Sequence, residues 1–224
     1  NARIHHMNDS LLNLLHGNYN VPDTSTVAVT DTTKYDTLPG FRRYLYRSAR
    51  VVDNSVNSDR NYIQINRGAN QGIKDNMAVI SSDGNAIGYV LNVSPNFSQV
   101  MSLLNVQNKV NAALKKSGQF GTIEWDGKDP RYVTLRNLPK DIEVKKGDSV
   151  VTSMYSYNFP PGYLVGTVAD IVADNSTNFY VLKIKTAADF YRIQRVHVIE
   201  NLQRDEQVTL AESTKKKIEE SQKG

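Results

Sequence analysis

The side chains able to do covalent or acid–base chemistry are few, and their spacing does not suit it. The four histidines are His5, His6, His16 and His197, and cysteine is absent. Without cysteine there is no disulfide, thiolate nucleophile, zinc–thiolate site or iron–sulfur cluster. His5 and His6 are adjacent and cannot share a helix face, and no HExxH or paired carboxylate spacing supports a metal. His197 lies between Val196 and Val198 in RVHVIENL, so strand alternation predicts it on the opposite face from both valines, at a surface or barrel rim. A serine hydrolase would need this histidine beside an activated serine, and the candidates Ser81, Ser82, Ser153 and Ser156 are not in a GxSxG turn. An atypical peptidase or hydrolase of chymotrypsin-like barrel architecture stays open as the alternative, with His197 and Ser153 as its pair. Glu124, Asp126, Asp129 and Asp141 could supply a carboxylate pair. In EWDGKDPRY, however, Asp126 and Asp129 flank a glycine and precede a proline, which is turn chemistry. No GxGxxG or GxxxxGK sequence is present to hold a nucleotide, and no cofactor is expected.

Two stretches suit binding better than catalysis. VVTSMYSYNFPPGYLVGTV, residues 150 to 168, sets Tyr155, Tyr157, Phe159 and Tyr163 around Pro160 and Pro161 between two valine-rich strands. Prolines lower the entropy lost on ordering a loop, and tyrosine gives apolar area with a hydroxyl that tolerates a wet edge. The insertion reads as a brace over its own barrel end, a partner-binding ridge or a lid over a small ligand. FRRYLYRSAR, residues 41 to 50, alternates Arg42, Arg43, Arg47 and Arg50 with aromatic rings. It reads as an amphipathic strand with a basic edge, or as a contact for an anionic surface or partner through Arg42 and Arg43. A net charge of +4 is too small to imply nucleic acid without a localised footprint.

These stretches are positioned by a chain whose hydrophobic period changes near its start. Ile4, Met7, Leu11 and Leu14 repeat at three, four and three, a heptad fragment that reads as the end of a dimerising coiled coil. GNYNVPDTS stops it. Beyond Thr26 the period is two. Short runs such as NYIQINRG, MAVISS, AIGYVLNV, YVTLRNL and FYVLKIKTA are divided by Gly, Asn, Asp and Pro turns, with no crossover helix between them. The expected fold is mainly β, with two small β-barrel-like domains preceded by the coiled-coil end. No run is long and apolar enough to span a bilayer. A first residue that is not Met predicts a piece of a longer protein.

The two β domains show one plan. NMAVISS (76–82) followed by AIGYV (86–90) resembles GDSVVTS (147–153) followed by YLVGTV (163–168), which makes Gly88 and Gly166 equivalent. An in-strand glycine permits a bulge or sharp bend, as small barrels need at their corners. The second copy carries the longer loop, and the extra residues are the aromatic insertion.

An ordered series carries a family resemblance: Gly72, Met77, Gly84, Gly88, Gly147-Asp148, Val151-Thr152-Ser153, Phe159-Pro160, Gly162, Gly166 and Asp189-Phe190. With NYIQINRGANQGIKDNMAVISSDGNAIGYVLNVSPNFSQVMSLLN and ADFYRIQRVHVI around it, the chain resembles the periplasmic region of the bacterial rod shape-determining MreC family, in its Bacteroidota type. The resemblance implies a cytoplasmic tail, one transmembrane helix and a coiled coil upstream, with two β domains outside the inner membrane. It implies a non-enzymatic, homodimeric scaffold of cell-wall elongation that binds penicillin-binding proteins and MreD, and through them is connected to MreB. The implied organisation is 1–16 coiled-coil end, 17–49 linker and first strands, 50–117 first domain, 118–200 second domain and 201–224 polar tail. The strand at 190–200 is left between the second domain and a return to the first. Gly72, Gly88, Gly147, Gly162 and Gly166 take structural roles. Two positions depart from the family pattern, since Asn76 and Met154 stand where glycine is usual. Asparagine tolerates a left-handed backbone at modest cost, and methionine does so poorly.

Overall fold

The computed structural model describes residues 19–20, 41–172 and 177–221. The heptad residues Ile4, Met7, Leu11 and Leu14 lie outside the described residues. A two-residue pair, β1 (Tyr19–Asn20) with β2 (Phe41–Arg42), sets Arg42 opposite Tyr19. Twelve longer strands follow: β3 (Tyr44–Asn54), β4 (Arg60–Ile65), β5 (Ala78–Ser81), β6 (Ala86–Val93), β7 (Ser98–Asn105), β8 (Val110–Leu114), β9 (Phe120–Glu124), β10 (Tyr132–Pro139), β11 (Ser149–Thr152), β12 (Leu164–Val172), β13 (Phe179–Thr186) and β14 (Arg195–Asn201). They form two closed barrels, ordered β14-β3-β4-β7-β6-β5 and β10-β13-β12-β11-β8-β9. Closure leaves neither barrel with a free strand edge, so neither barrel offers an exposed β edge to a partner.

Both rings follow the same path once β14 is matched with β8. The sequence of neighbours β14-β3-β4-β7-β6-β5 reappears as β8-β9-β10-β13-β12-β11. The first barrel takes its closing strand from the far end of the chain, and the second takes its own from just before its other strands. One expected boundary therefore changes. The second barrel begins at Val110, not near Gly118, because the division at 117/118 would separate β8 from the ring it belongs to. Residues 195 to 201, whose place was left open between the two domains, close the first, where Val198 pairs with Val79 of β5.

The copies agree residue by residue. Ile63, Val100 and Val90 form a row across β4, β7 and β6, and Val133, Ile184 and Val168 form its counterpart across β10, β13 and β12. All six are buried inside their barrels. The registers slip at matching places, between Val90 and Asn92 in one copy and between Val168 and Asp170 in the other. Asn76 (φ 66) and Gly147 (φ 91) are also equivalent, because their amides donate to Val90 O and Val168 O. Asparagine is thus accommodated at the left-handed position, and Met154 is not among the described residues of positive φ.

Gly88 pairs with Val79 and Gly166 with Val150, each beside a register slip. A Cβ on Gly88 would lie 2.0 Å from Met101 O, and one on Gly166 2.1 Å from Lys185 O. Met101 and Lys185 are themselves counterparts, so each barrel draws two strands together at the same row. The left-handed turns at Gly72 and Gly162 account for the other two structural glycines.

Outside the barrels, α1 (Arg204–Ser221) forms one continuous helix within the stretch expected as a polar tail. Asn201 Oδ1 accepts from Gln203 N just before it, and none of its residues is buried. Charged and helix-favouring residues sustain it. Among the described residues, no helix is long and apolar enough to cross a membrane.

Gly88→Ala and Gly166→Ala should each lower stability by at least about 2 kcal/mol, since the obstacle is backbone that cannot rotate away. Thermal unfolding measures this, and an unchanged midpoint would contradict the close approach.

Candidate functional site

The aromatic insertion leaves the second barrel at Thr152, which is buried and fastens the loop at both ends. Thr152 N donates to Tyr163 O at 2.8 Å, and Gly162 N donates to Thr152 O at 3.0 Å. The Thr152 hydroxyl donates to Pro160 O at 2.6 Å and accepts from Tyr163 N at 2.9 Å. Inside the loop, Ser153 Oγ accepts from Tyr155 N and Ser156 Oγ from Phe159 N. Serine and threonine side chains thus satisfy amides that no strand partner reaches.

This framework divides the rings between two tasks. Phe159 is only 2% exposed, so its place among the partner-binding residues is corrected: it braces the barrel end. Its companion Pro160 is buried with it, while Tyr163 is half-buried. Tyr155 and Tyr157 point the other way and are 59% and 47% exposed, next in the chain to Met154 at 69%. Phe120, at the start of β9, is 49% exposed and meets Tyr155 with ring centroids 5.0 Å apart at 59°. Tilted rings at this spacing attract each other, which limits Tyr155's freedom before any partner arrives. Phe120 was missed in the sequence because FGTIEW reads as an ordinary strand and nothing local marks its first residue as exposed.

The basic stretch is less open than its composition predicts. Tyr44 and Tyr46 are buried and Arg43 and Arg47 half-buried, while Arg50 is exposed. Arg43 Cζ lies 5.1 Å from the Tyr44 ring centroid. Burial pushes the Tyr44 phenol above its ordinary pKa, against the pull of the Arg43 guanidinium. A Cβ on Gly72 would come within 3.2 Å of Arg47 Nη2, so that guanidinium packs on the turn. Arg43 and Arg47 thus serve the strand's own packing.

The catalytic candidates are dispersed. His197 is buried, contrary to the rim position expected from alternation, because every residue of β14 from Val196 to Asn201 is covered. It pairs with Ile80 of β5 in the first barrel, whereas Ser153 is buried in the second. Two clefts lie along the connection from β13 to β14. One of about 350 Å³ is walled by Ser82, Asn85, Arg192 and Gln194, and one of about 340 Å³ by Arg131, Lys185, Thr186 and Tyr191. Neither His197, Ser153 nor the aromatic loop lines either one. Among the described residues, no cluster of three His, Asp or Glu could hold a metal. The carboxylates serve the turn: Asp126 Oδ1 accepts from Lys128 N, and Asp129 accepts from Arg131 Nε at 3.0 Å and Nη2 at 2.8 Å. The hydrogen bonds from Arg131 hold Asp129 down to about 2. Glu124 sits between Lys109 at 3.2 Å and Arg136 at 3.4 Å.

Phe159→Ala should cost about 3–5 kcal/mol of stability, as expected for emptying a buried aromatic site. Tyr155→Ala and Tyr157→Ala should stay within about 0.5 kcal/mol of the parent, because exposed side chains contribute little to folding. Chemical denaturation of the three variants tests the division, and equal losses at all three would contradict it.

Comparison with known proteins places the chain. A family model for the rod shape-determining protein MreC, barrel core, matches residues 51–200. The cell shape-determining protein MreC of Listeria monocytogenes is 30% identical over 167 residues, covering 73% of this chain and 56% of that protein. Its counterpart from Haemophilus influenzae is 28% identical over 148 residues, covering 66% and 42%. The chain thus spans about half the length of these relatives. A solved structure of Listeria MreC superposes with a TM-score of 0.65 at 27% identity, covering 89% of this chain and 87% of that one. MreC in a complex with the penicillin-binding protein PBP2 from Helicobacter pylori gives 0.55 at 17% identity, covering 71% and 99%, a likeness of fold alone. With the barrel-core match running from β3 into β14, this chain belongs to the MreC family.

Proposed function

We propose that the chain is the periplasmic part of a non-catalytic scaffold for cell-wall elongation, which controls cell shape by holding peptidoglycan synthesis proteins in place. The observation that carries this reading is the family match over both barrels, together with a geometry that puts His197 and Ser153 in different barrels and outside both clefts. Upstream of residue 1 the scaffold continues into a coiled coil and a single membrane helix, and Ile4, Met7, Leu11 and Leu14 contribute to its homodimer. One structural relative, 21% identical to this chain, is the major periplasmic domain of the cell shape-determining filament MreC, which supports the location. The narrower likeness to the Bacteroidota type rests on the motif series alone.

Penicillin-binding proteins are the partners assigned to the ridge of Phe120, Met154, Tyr155 and Tyr157. MreD, and MreB through it, fall to segments nearer the membrane. Support comes from the physics of interfaces, since exposed aromatic and methionine side chains on a rigid base are the usual centre of a binding surface. The complex known for the Helicobacter protein shows that a member of this family engages PBP2. Arg42 and Arg43 would then contribute at most a rim contact.

A photoreactive amino acid at position 155 or 157 in living cells tests the assignment. It should yield an adduct with a penicillin-binding protein, and Tyr155→Ala with Tyr157→Ala should weaken that partner by about 1–4 kcal/mol. Adducts from the opposite end of the barrel but none from these positions would overturn it.

A further inference from the structure

Because the two barrels are copies in register, each outward residue has a counterpart, and the comparison separates what the fold requires from what it merely carries. On the outer face of β4, β7 and β6, Tyr62, Met101 and Tyr89 form one row, and Gln64, Gln99 and Asn92 the next. The counterpart rows on β10, β13 and β12 are Tyr132, Lys185 and Thr167, then Thr134, Lys183 and Asp170. Barrel closure is therefore compatible with Met and Gln at the central positions, and the second barrel holds two lysines there instead. Their inward neighbours Leu182 and Ile184 are buried, so both lysines face out, and both are exposed.

The acids around them make their close ion pairs elsewhere, although the Lys183 charge also acts on Asp129 and Asp170. Asp129 pairs with Arg131 at 2.8 Å, Asp170 with Lys146 at 2.7 Å, and Glu124 with Arg136 and Lys109. Neither Lys183 nor Lys185 forms an ion pair among the described residues. Lys183 Nζ sits 4.1 Å from the Tyr132 ring centroid, which steers its ammonium without neutralising it. Lys185 also walls the cleft of about 340 Å³, whose rim carries the exposed Tyr191.

We propose that the β10–β13–β12 face and its cleft dock an acidic segment of a protein partner. Carboxylates of the partner would meet Lys183 and Lys185, and an apolar side chain would enter the cleft beside Tyr191. Asp129 and Asp170 argue for a peptide over a flat anionic membrane, because a segment can place its charges between theirs and a continuous anionic plane cannot. Such a face governs association rate and choice of partner more than total affinity, and salt weakens it.

The test uses the complete chain and a labelled oligoglutamate peptide containing one tyrosine, followed by fluorescence anisotropy. The wild type should bind at low salt and lose affinity as salt rises. The double variant K183Q/K185M, which installs the first barrel's residues, should keep its melting temperature and bind about tenfold more weakly. Should it unfold, Lys185→Gln alone should still weaken binding. K115Q/K116Q, a charge-matched change in the turn between β8 and β9, should leave affinity unchanged. No binding by the wild type, equal binding by K183Q/K185M, an equal loss in K115Q/K116Q, or preference for phosphatidylglycerol vesicles over the peptide would each overturn the proposal.

Discussion

The constraint on which everything else depends is that each ring of six strands must close, and the first can do so only with a strand made after the second is complete. A sheet left open at β3 and β5 would present two rows of unpaired backbone groups. β14 removes both rows at once. The cost is a long-range contact, because the first barrel waits for residues 195 to 201 while the second already has its set. Closure also explains the character of the surface. Partners find no barrel edge to extend, so binding to the barrels falls to loops and outer faces, where side chains decide recognition.

The duplication gives an internal standard for sorting structural residues from functional ones. Where packing rules, the copies agree: glycine at 88 and 166, facing valines at 79 and 150, and β-branched residues in the central rows. Where solvent rules, they part. The turn after Ser82 is short, whereas the one after Ser153 is the aromatic insertion, and the outer rows exchange methionine and glutamine for lysines. Such differences are not imposed by the shared fold, which is why they point to contacts. Phe159 shows the limit of the rule, as it lies within the insertion and yet serves the core.

Much of the fold was legible in the sequence because local rules and tertiary demands coincide there. The equivalence of Gly88 and Gly166 could be read from flanking valines alone, and the turn at Asp126 to Pro130 from its composition. Asn76 was legible as a left-handed position only through the family resemblance, because it stands where glycine is usual. The rest needed three dimensions. Alternation places His197 opposite two valines, but it cannot tell that both faces of β14 are covered. The four rings of the insertion look alike in sequence, and only the Thr152 clasp decides that Phe159 turns inward while Tyr155 and Tyr157 turn out. β8 carries no local mark of the barrel it joins, since membership is a matter of register.

Hydrogen exchange on a chain shortened to end at Gln194 tests the closure constraint most directly. Loss of protection in β3 and β5, with β8 to β13 still protected, is the result expected if the first ring depends on β14 and the second is self-sufficient. Full protection of β3 and β5 in the shortened chain would contradict it.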